Sequence, residues 1–162
     1  MIKRRKIPLE IQRLVHQRAN HLCEYCHTSE VWQYVRFTID HVIPIAQGGT
    51  DSLDNLALAC LHCNRRKADK LTALVPGSGE LVSLFNPRQD AWDEHFIWSP
   101  DKLFIVGLTP TGQATIDALK LNRERVINIR AADRMVERHP PPGDSVQKNT
   151  PEHSKRTKSA RK

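Results

Sequence analysis

Two pairs of cysteines constrain the fold of this chain more than any other feature of its sequence. The pairs are Cys23-Glu-Tyr-Cys26 and Cys60-Leu-His-Cys63, and they account for all four cysteines. Two thiolates spaced in this way converge on one ion, and zinc takes four tetrahedral ligands, so the pairs predict a closed structural zinc site. Disulfides are the alternative. They do not persist in the reducing, cytoplasmic compartment that we expect for a chain without a recognisable secretory signal.

The positive charge of the chain is concentrated at its two ends. The net charge is +7; residues 1–18 carry six Lys or Arg and one Glu, and residues 140–162 carry six Lys or Arg and two acids. Basic ends are typical of a polyanionic partner such as nucleic acid, although they also serve simply to keep a protein in solution. Apolar residues make up 39% of the chain, and no apolar run approaches the ~20 residues that span a bilayer. A membrane protein and a fully disordered chain are therefore disfavoured.

The segment between the cysteine pairs predicts a small unit of two strands and a helix. Residues 36–44 have the pattern of a strand that runs into a loop, and a turn-rich stretch follows at residues 47–51. Residues 55–60 predict a second strand, and residues 64–71 predict a helix. So small a unit buries little apolar surface, and metal binding would supply part of its folding free energy.

Three polar positions of this unit carry the functional signal: Asp40-His41, Asn55 and Asn64. Taken singly, they have structural interpretations as a strand end, a turn residue and a helix N-cap. Taken with the cysteines, they resemble the HNH endonuclease motif in its zinc-stabilised ββα-metal form. The resemblance spans about residues 23–70 and rests on Asp40-His41-Val-Ile-Pro44, Gly48-Gly49, Asn55-Leu56 and Cys60-Leu-His-Cys63-Asn64-Arg-Arg-Lys67. The third letter of the motif is often His, and Asn64 stands there in this chain.

The resemblance implies a metal-dependent hydrolysis of phosphodiester bonds in DNA. The ordinary pKa of a histidine is about 6.5, so His41 is suited to accept a proton from the attacking water. Asp40 and Asn64 supply oxygen ligands for a catalytic divalent ion, expected to be Mg²⁺, with Mn²⁺ or Ni²⁺ as substitutes. Asn55 cannot act as a base, and we expect it to bond backbone across the long loop and orient His41. Neighbouring strand residues point to opposite faces, so the resemblance also implies a twist between Asp40 and His41.

A cluster of basic residues follows Asn64. On the predicted helix, Lys70 shares a face with Arg66 and with Lys67, and we expect these three residues to bind DNA phosphates. Lys67 is the leading candidate because family members commonly carry Lys there. A solvated helix face is the alternative interpretation, and it is favoured for Arg65. The histidines outside the motif show no ligand spacing and are interpreted as surface or packing residues.

The rest of the chain predicts an extension of an α+β fold. We expect an HNH nuclease domain with an N-terminal helix at residues 1–74, an extension packing on or beside it at 75–139, and a disordered basic tail at 140–162. Apolar residues of the extension repeat at helical spacings and predict one long helix with a single apolar face, whose members are Ile116, Leu119, Val126, Ile129 and Val136. This face closes the core or forms a dimer seam, and packing in the core is our expectation.

The sequence therefore predicts a zinc-stabilised HNH endonuclease that nicks DNA as a monomer. Double-strand cleavage would need a homodimer or a second encounter, because one site cuts one strand. The alternative is a non-catalytic zinc module that binds nucleic acid with the same basic residues.

Overall fold

The computed structural model describes residues 6–150. This part of the chain contains five α-helices and three two-stranded antiparallel sheets. The helices are α1 (Leu9–Arg18), α2 (Leu61–Lys67), α3 (Trp92–His95), α4 (Pro110–Leu119) and α5 (Glu124–Met135). The strands are β1 (Thr38–His41), β2 (Leu56–Ala59), β3 (Thr72–Leu74), β4 (Leu81–Ser83), β5 (Phe96–Trp98) and β6 (Ile105–Gly107). The fold class is α+β, as the sequence predicted. None of these helices has the length and apolarity needed to cross a membrane.

The first sheet and α2 form the predicted unit of two strands and a helix. Strand β1 pairs with β2 in a register that places His41 opposite Leu56, and all four residues of β2 are buried. Helix α2 begins at Leu61, three residues earlier than predicted, because the Cys60 sulfur caps it by accepting a bond from the Cys63 N–H at 3.4 Å. The helix ends at Lys67, and Lys70 therefore lies beyond it, so the helical face predicted for these residues is wrong for Lys70.

The extension shares one core with the half of the chain that carries the cysteines. Trp92 and Trp98 are at most 9% exposed, so these two indoles pack inside the fold and are not free to stack on bases. The indole N–H of Trp92 donates to the Tyr25 carbonyl at 3.0 Å, which joins the extension to the first cysteine pair.

Two helices, rather than one, stand where the sequence predicted a long helix. Helix α4 ends at Leu119, and α5 begins at Glu124. Between them Leu121 is fully buried, and the Asn122 side chain bonds both the N–H and the carbonyl of Ile105 at 2.8 Å. Burying Leu121 and bonding β6 require the chain to turn here. The predicted apolar face is split accordingly: Leu119 and Val126 are buried, whereas Val136 is 57% exposed.

Residues 140–147 belong to the fold, although the sequence predicted that a disordered tail begins at residue 140. The Trp98 N–H donates to the Ser145 carbonyl at 3.0 Å, and the Gln147 N–H donates to the Trp98 carbonyl at 2.8 Å. The Asp144 carboxylate accepts from the Trp98 indole at 2.9 Å. These bonds fix the segment along the edge of β5. Residues 151–162 of the predicted tail lie outside the described residues.

Candidate functional site

The four cysteines form one buried cluster. Their sulfur atoms lie within 4.8 Å of one another, and no disulfide joins them. Cys26 Sγ and Cys60 Sγ are 3.9 Å apart, which matches the spacing of about 3.8 Å between corners of a tetrahedron with 2.3 Å zinc–sulfur bonds. A disulfide would need a sulfur separation of about 2.05 Å. The geometry therefore fits a tetrahedral metal ion, as the cysteine spacing predicted.

The electrostatics of the cluster agree with a cation at its centre. Burial raises the pKa of the Cys23 thiol well above its ordinary value. The pKa of Cys26 lies well below its ordinary value because this sulfur accepts hydrogen bonds from the other cysteines, Cys23 first among them. Four thiolates so close together repel one another in a buried site, so a divalent cation such as zinc is what would let all four ionise. The sulfur chemistry of the set favours zinc over a hard cation such as Mg²⁺.

Asp40 lies inside the fold, on the face of β1 that meets α2. It is 4% exposed, and its Oδ2 accepts from the Tyr25 hydroxyl at 2.6 Å. Lys67, which is 2% exposed, places its Nζ 3.1 Å from the same oxygen and donates to the His41 carbonyl at 3.1 Å. Burial raises the pKa of Asp40, and the charge of Lys67 with the bond from Tyr25 offsets part of that rise. Asp40 is thus the centre of a buried polar network.

His41 is the last residue of the same strand and is partly exposed. Its side chain is 27% exposed, and its Nε2 lies 2.7 Å from Asp51 Oδ1 in the loop that follows. A carboxylate at this distance fixes the orientation of the ring and favours the proton on Nε2. Nδ1 has no hydrogen-bond partner among the described residues and is the nitrogen suited to accept a proton. Nothing in the sequence gives a reason to pair Asp51 with His41, because nine residues separate them and only the folded loop brings them together.

Asn55 holds that loop closed. It is 7% exposed, and its Oδ1 accepts from the Ile43 N–H at 2.9 Å. Its Nδ2 donates to the carbonyls of Ile43 and Thr50, both at 2.9 Å. These are bonds across the long loop of the kind that the sequence predicted for Asn55. Gly49 is required at the closure because a Cβ there would lie 1.7 Å from the Ile43 carbonyl oxygen.

Asn64 lies in the middle of α2, and the N-cap of that helix is Cys60. The Asn64 Nδ2 donates to Thr38 Oγ1 at 2.8 Å, two residues before Asp40 on the same face of β1. Asn64 and Lys67 are three residues apart and share a helix face, so α2 presents both to β1. The structure therefore places Asn64 and Asp40 on facing surfaces of one interface, with Thr38 and Lys67 as their hydrogen-bond partners.

The basic cluster divides into buried and exposed members. Lys67 was the leading sequence candidate for binding phosphate, but its ammonium is buried and paired with Asp40, so the structure does not present it to a ligand. Arg66 and Lys70 are exposed, and Lys70 Nζ donates to the Arg66 carbonyl at 2.9 Å. Arg66 also lines a groove with Lys120 and Arg123, two cations that lie more than 50 residues further along the chain and outside the motif.

A protein-family model matches the same part of the chain that carries the motif. Residues 23–70 match the HNH family, described as HNH endonuclease. The resemblance is confirmed. The matched segment contains both cysteine pairs, β1, the loop closed by Asn55, β2 and α2. A search of curated proteins found no match to the chain.

Proposed function

We propose that this chain is a metal-dependent HNH endonuclease that hydrolyses phosphodiester bonds of DNA. The observation that carries the proposal is His41: it is the partly exposed last residue of β1, inside the matched HNH segment, with Nε2 held by Asp51 at 2.7 Å. A neutral imidazole oriented in this way can take a proton from water on Nδ1. The activity of the HNH family supports the substrate class.

The roles of the neighbouring residues follow from their contacts. Asp51 positions the His41 ring, and Asn55 holds the loop that carries Asp51. Arg66 and Lys70, which are exposed, are proposed to contact the DNA backbone and to make binding sensitive to salt. A single site would cut one strand, so the protein is proposed to nick as a monomer.

The metal ions belong to two sites. The thiolates of Cys23, Cys26, Cys60 and Cys63 are proposed to hold a structural zinc, which requires a reducing compartment such as the cytoplasm. The oxygen atoms of Asp40 and Asn64 are the donor types for a catalytic Mg²⁺ or Mn²⁺. When bound, such an ion would supply Lewis-acid stabilisation of the leaving oxygen. Lys67 is at present the cation beside Asp40, so loading this site requires the Lys67 ammonium to move away.

That same pair is the reason to keep a second candidate function. The Asp40 carboxylate is buried and already bonded by Tyr25 and Lys67, which would suit a zinc module that binds nucleic acid without cleaving it. In the nuclease, Asp40 would exchange its ion pair with Lys67 for a bound metal ion. In the binding module, that ion pair would persist.

Plasmid relaxation distinguishes them. Purified protein is incubated with supercoiled plasmid and Mg²⁺ or Mn²⁺, with EDTA in a parallel reaction, beside His41→Ala and the control His139→Gln. If the protein is a nuclease, relaxation should require the metal and should persist in the control. In His41→Ala the rate of relaxation should fall by about 10²–10⁴-fold. DNA binding by all three proteins without relaxation at any metal would support the binding module.

A further inference from the structure

A second cluster of metal-ligating side chains lies outside the four-cysteine site and outside the β1–α2 interface. It consists of His16, His21 and Glu30, whose ligand atoms lie within 4.8 Å of one another. His16 is in the last turn of α1, His21 follows that helix, and Glu30 lies beyond the first cysteine pair. Sequence spacing gave no sign of this group, because Glu30 reaches the two histidines only after the chain has folded around the cysteines.

The backbone holds these three residues in place. Asn20 and His21 both have left-handed conformations, with φ of 50° and 56°, so the chain reverses immediately after the helix. The His21 N–H donates to the His16 carbonyl at 3.0 Å, and the Glu30 N–H donates to the His21 carbonyl at 2.7 Å. These two backbone hydrogen bonds therefore fix the positions from which the three side chains extend toward one another.

The side chains converge on a single carboxylate oxygen. Glu30 Oε2 lies 2.7 Å from His16 Nδ1 and 3.4 Å from His21 Nδ1. The other oxygen, Oε1, accepts from the Phe37 N–H at 3.0 Å and fixes the plane of the carboxylate. Ligand atoms around a tetrahedral zinc with bonds of about 2.05 Å are separated by about 3.3 Å. The contact to His21 already has this spacing, and the contact to His16 would have to lengthen by about 0.6 Å.

The exposure of the cluster suits an ion that enters from solvent. The side chains of His16 and Glu30 are 18% and 11% exposed, whereas that of His21 is 48% exposed. Two ligands are thus fixed in a partly buried wall, and the third lies at the mouth, where water can complete the coordination. We propose that His16, His21 and Glu30 form a further divalent-metal site, distinct from the two sites above, whose imidazole and carboxylate donors favour zinc over Mg²⁺.

An ion at this site would act on the fold rather than on the reaction. It would tie the end of α1 to Glu30, whose carboxylate also holds Phe37, the residue directly before β1. The site would therefore brace the segment that leads into the strand ending in His41. It does not depend on the proposed nuclease activity.

Zinc titration of the full chain tests the proposal. The protein is purified with its cysteine-bound metal, that metal is quantified, and Zn²⁺ is then titrated by calorimetry at neutral pH, with Mg²⁺ as the comparison. We expect one further zinc ion per chain and no corresponding event with Mg²⁺. His21→Ala and Glu30→Gln each remove a direct ligand. Each should therefore lower the affinity for this further zinc ion by more than the roughly 10–100-fold that loss of an outer-shell partner costs. The cysteine-bound metal should stay unchanged in both variants.

Two controls make the result decisive. Because Gln keeps an acceptor for the Phe37 N–H, Glu30→Gln separates loss of a ligand from loss of the fold, and circular dichroism should show both variants folded. Asn64→Ala removes a proposed ligand at the β1–α2 interface, so it shows whether the further zinc ion binds there instead. Absence of a further zinc in the unmodified protein, or a further zinc lost in Asn64→Ala and retained in His21→Ala, would overturn the proposal.

Discussion

Replacing Lys67 with methionine tests how α2 is joined to β1. Lys67 and Asp40 are 2% and 4% exposed, and 3.1 Å separates Lys67 Nζ from Asp40 Oδ2. Removing one partner of a buried ion pair costs about 3–5 kcal/mol because the remaining charge is left without a counterion. Asp40 keeps its bond from Tyr25, so we expect Lys67→Met to lose about 3 kcal/mol, at the lower end of that range.

The loss can be measured by urea unfolding of the zinc-loaded protein. The buried indoles of Trp92 and Trp98 provide the fluorescence signal. With a urea dependence of about 2 kcal/mol/M, the midpoint should fall by about 1.5 M. Adding Asp40→Asn to Lys67→Met removes the stranded charge, so the double variant should be more stable than the single one.

Arg66→Met is the matched control, because Arg66 is the exposed neighbour of Lys67 on the same helix. Surface substitutions of this kind usually change stability by less than about 0.5 kcal/mol. If Lys67→Met also costs less than about 1 kcal/mol, the range of an exposed pair, the buried ion pair is refuted. Lys67 would then be free to contact phosphate, as the sequence suggested.

Three further outcomes follow from the loop and the basic surface. Gly49→Ala should prevent the loop from closing, since its Cβ would lie 1.7 Å from the Ile43 carbonyl oxygen, and cleavage should be lost while zinc content is retained. Asp51→Asn should lower the rate of plasmid nicking by roughly 10–100-fold, because the ring of His41 loses the carboxylate that orients it. Arg66→Ala should reduce the slope of log K against log[salt] for duplex DNA by about 0.9, as fluorescence anisotropy at several salt concentrations would show.

The four-cysteine cluster and the unit of two strands and a helix were predictable because local spacing specifies them. The spacing of the two cysteine pairs identifies the four sulfur atoms that cluster. Strands β1 and β2 and helix α2 follow from short strand and helix patterns in the residues between and just after the pairs. Asn55 was likewise assigned to the loop from its place in the motif, and its bonds to Ile43 and Thr50 are present.

The contacts that sequence could not predict join residues far apart in the chain. The burial of Lys67 depends on Asp40 facing it across β1 and α2, and a basic residue among other basic residues carries no sign of that partner. Asp51 reaches His41 only through the closed loop. The turn between α4 and α5 is fixed by Asn122 bonding β6, a contact that helical periodicity does not register.

Chemical rescue tests the central claim, that His41 is the base of DNA cleavage, most directly. The initial rate of metal-dependent plasmid nicking is measured for the unmodified protein and for His41→Gly, with and without added imidazole. The account predicts that His41→Gly loses about 10²–10⁴-fold in rate and that imidazole restores part of the loss while leaving the unmodified protein unaffected. Nicking by His41→Gly at the unmodified rate, in the absence of imidazole, would contradict the account.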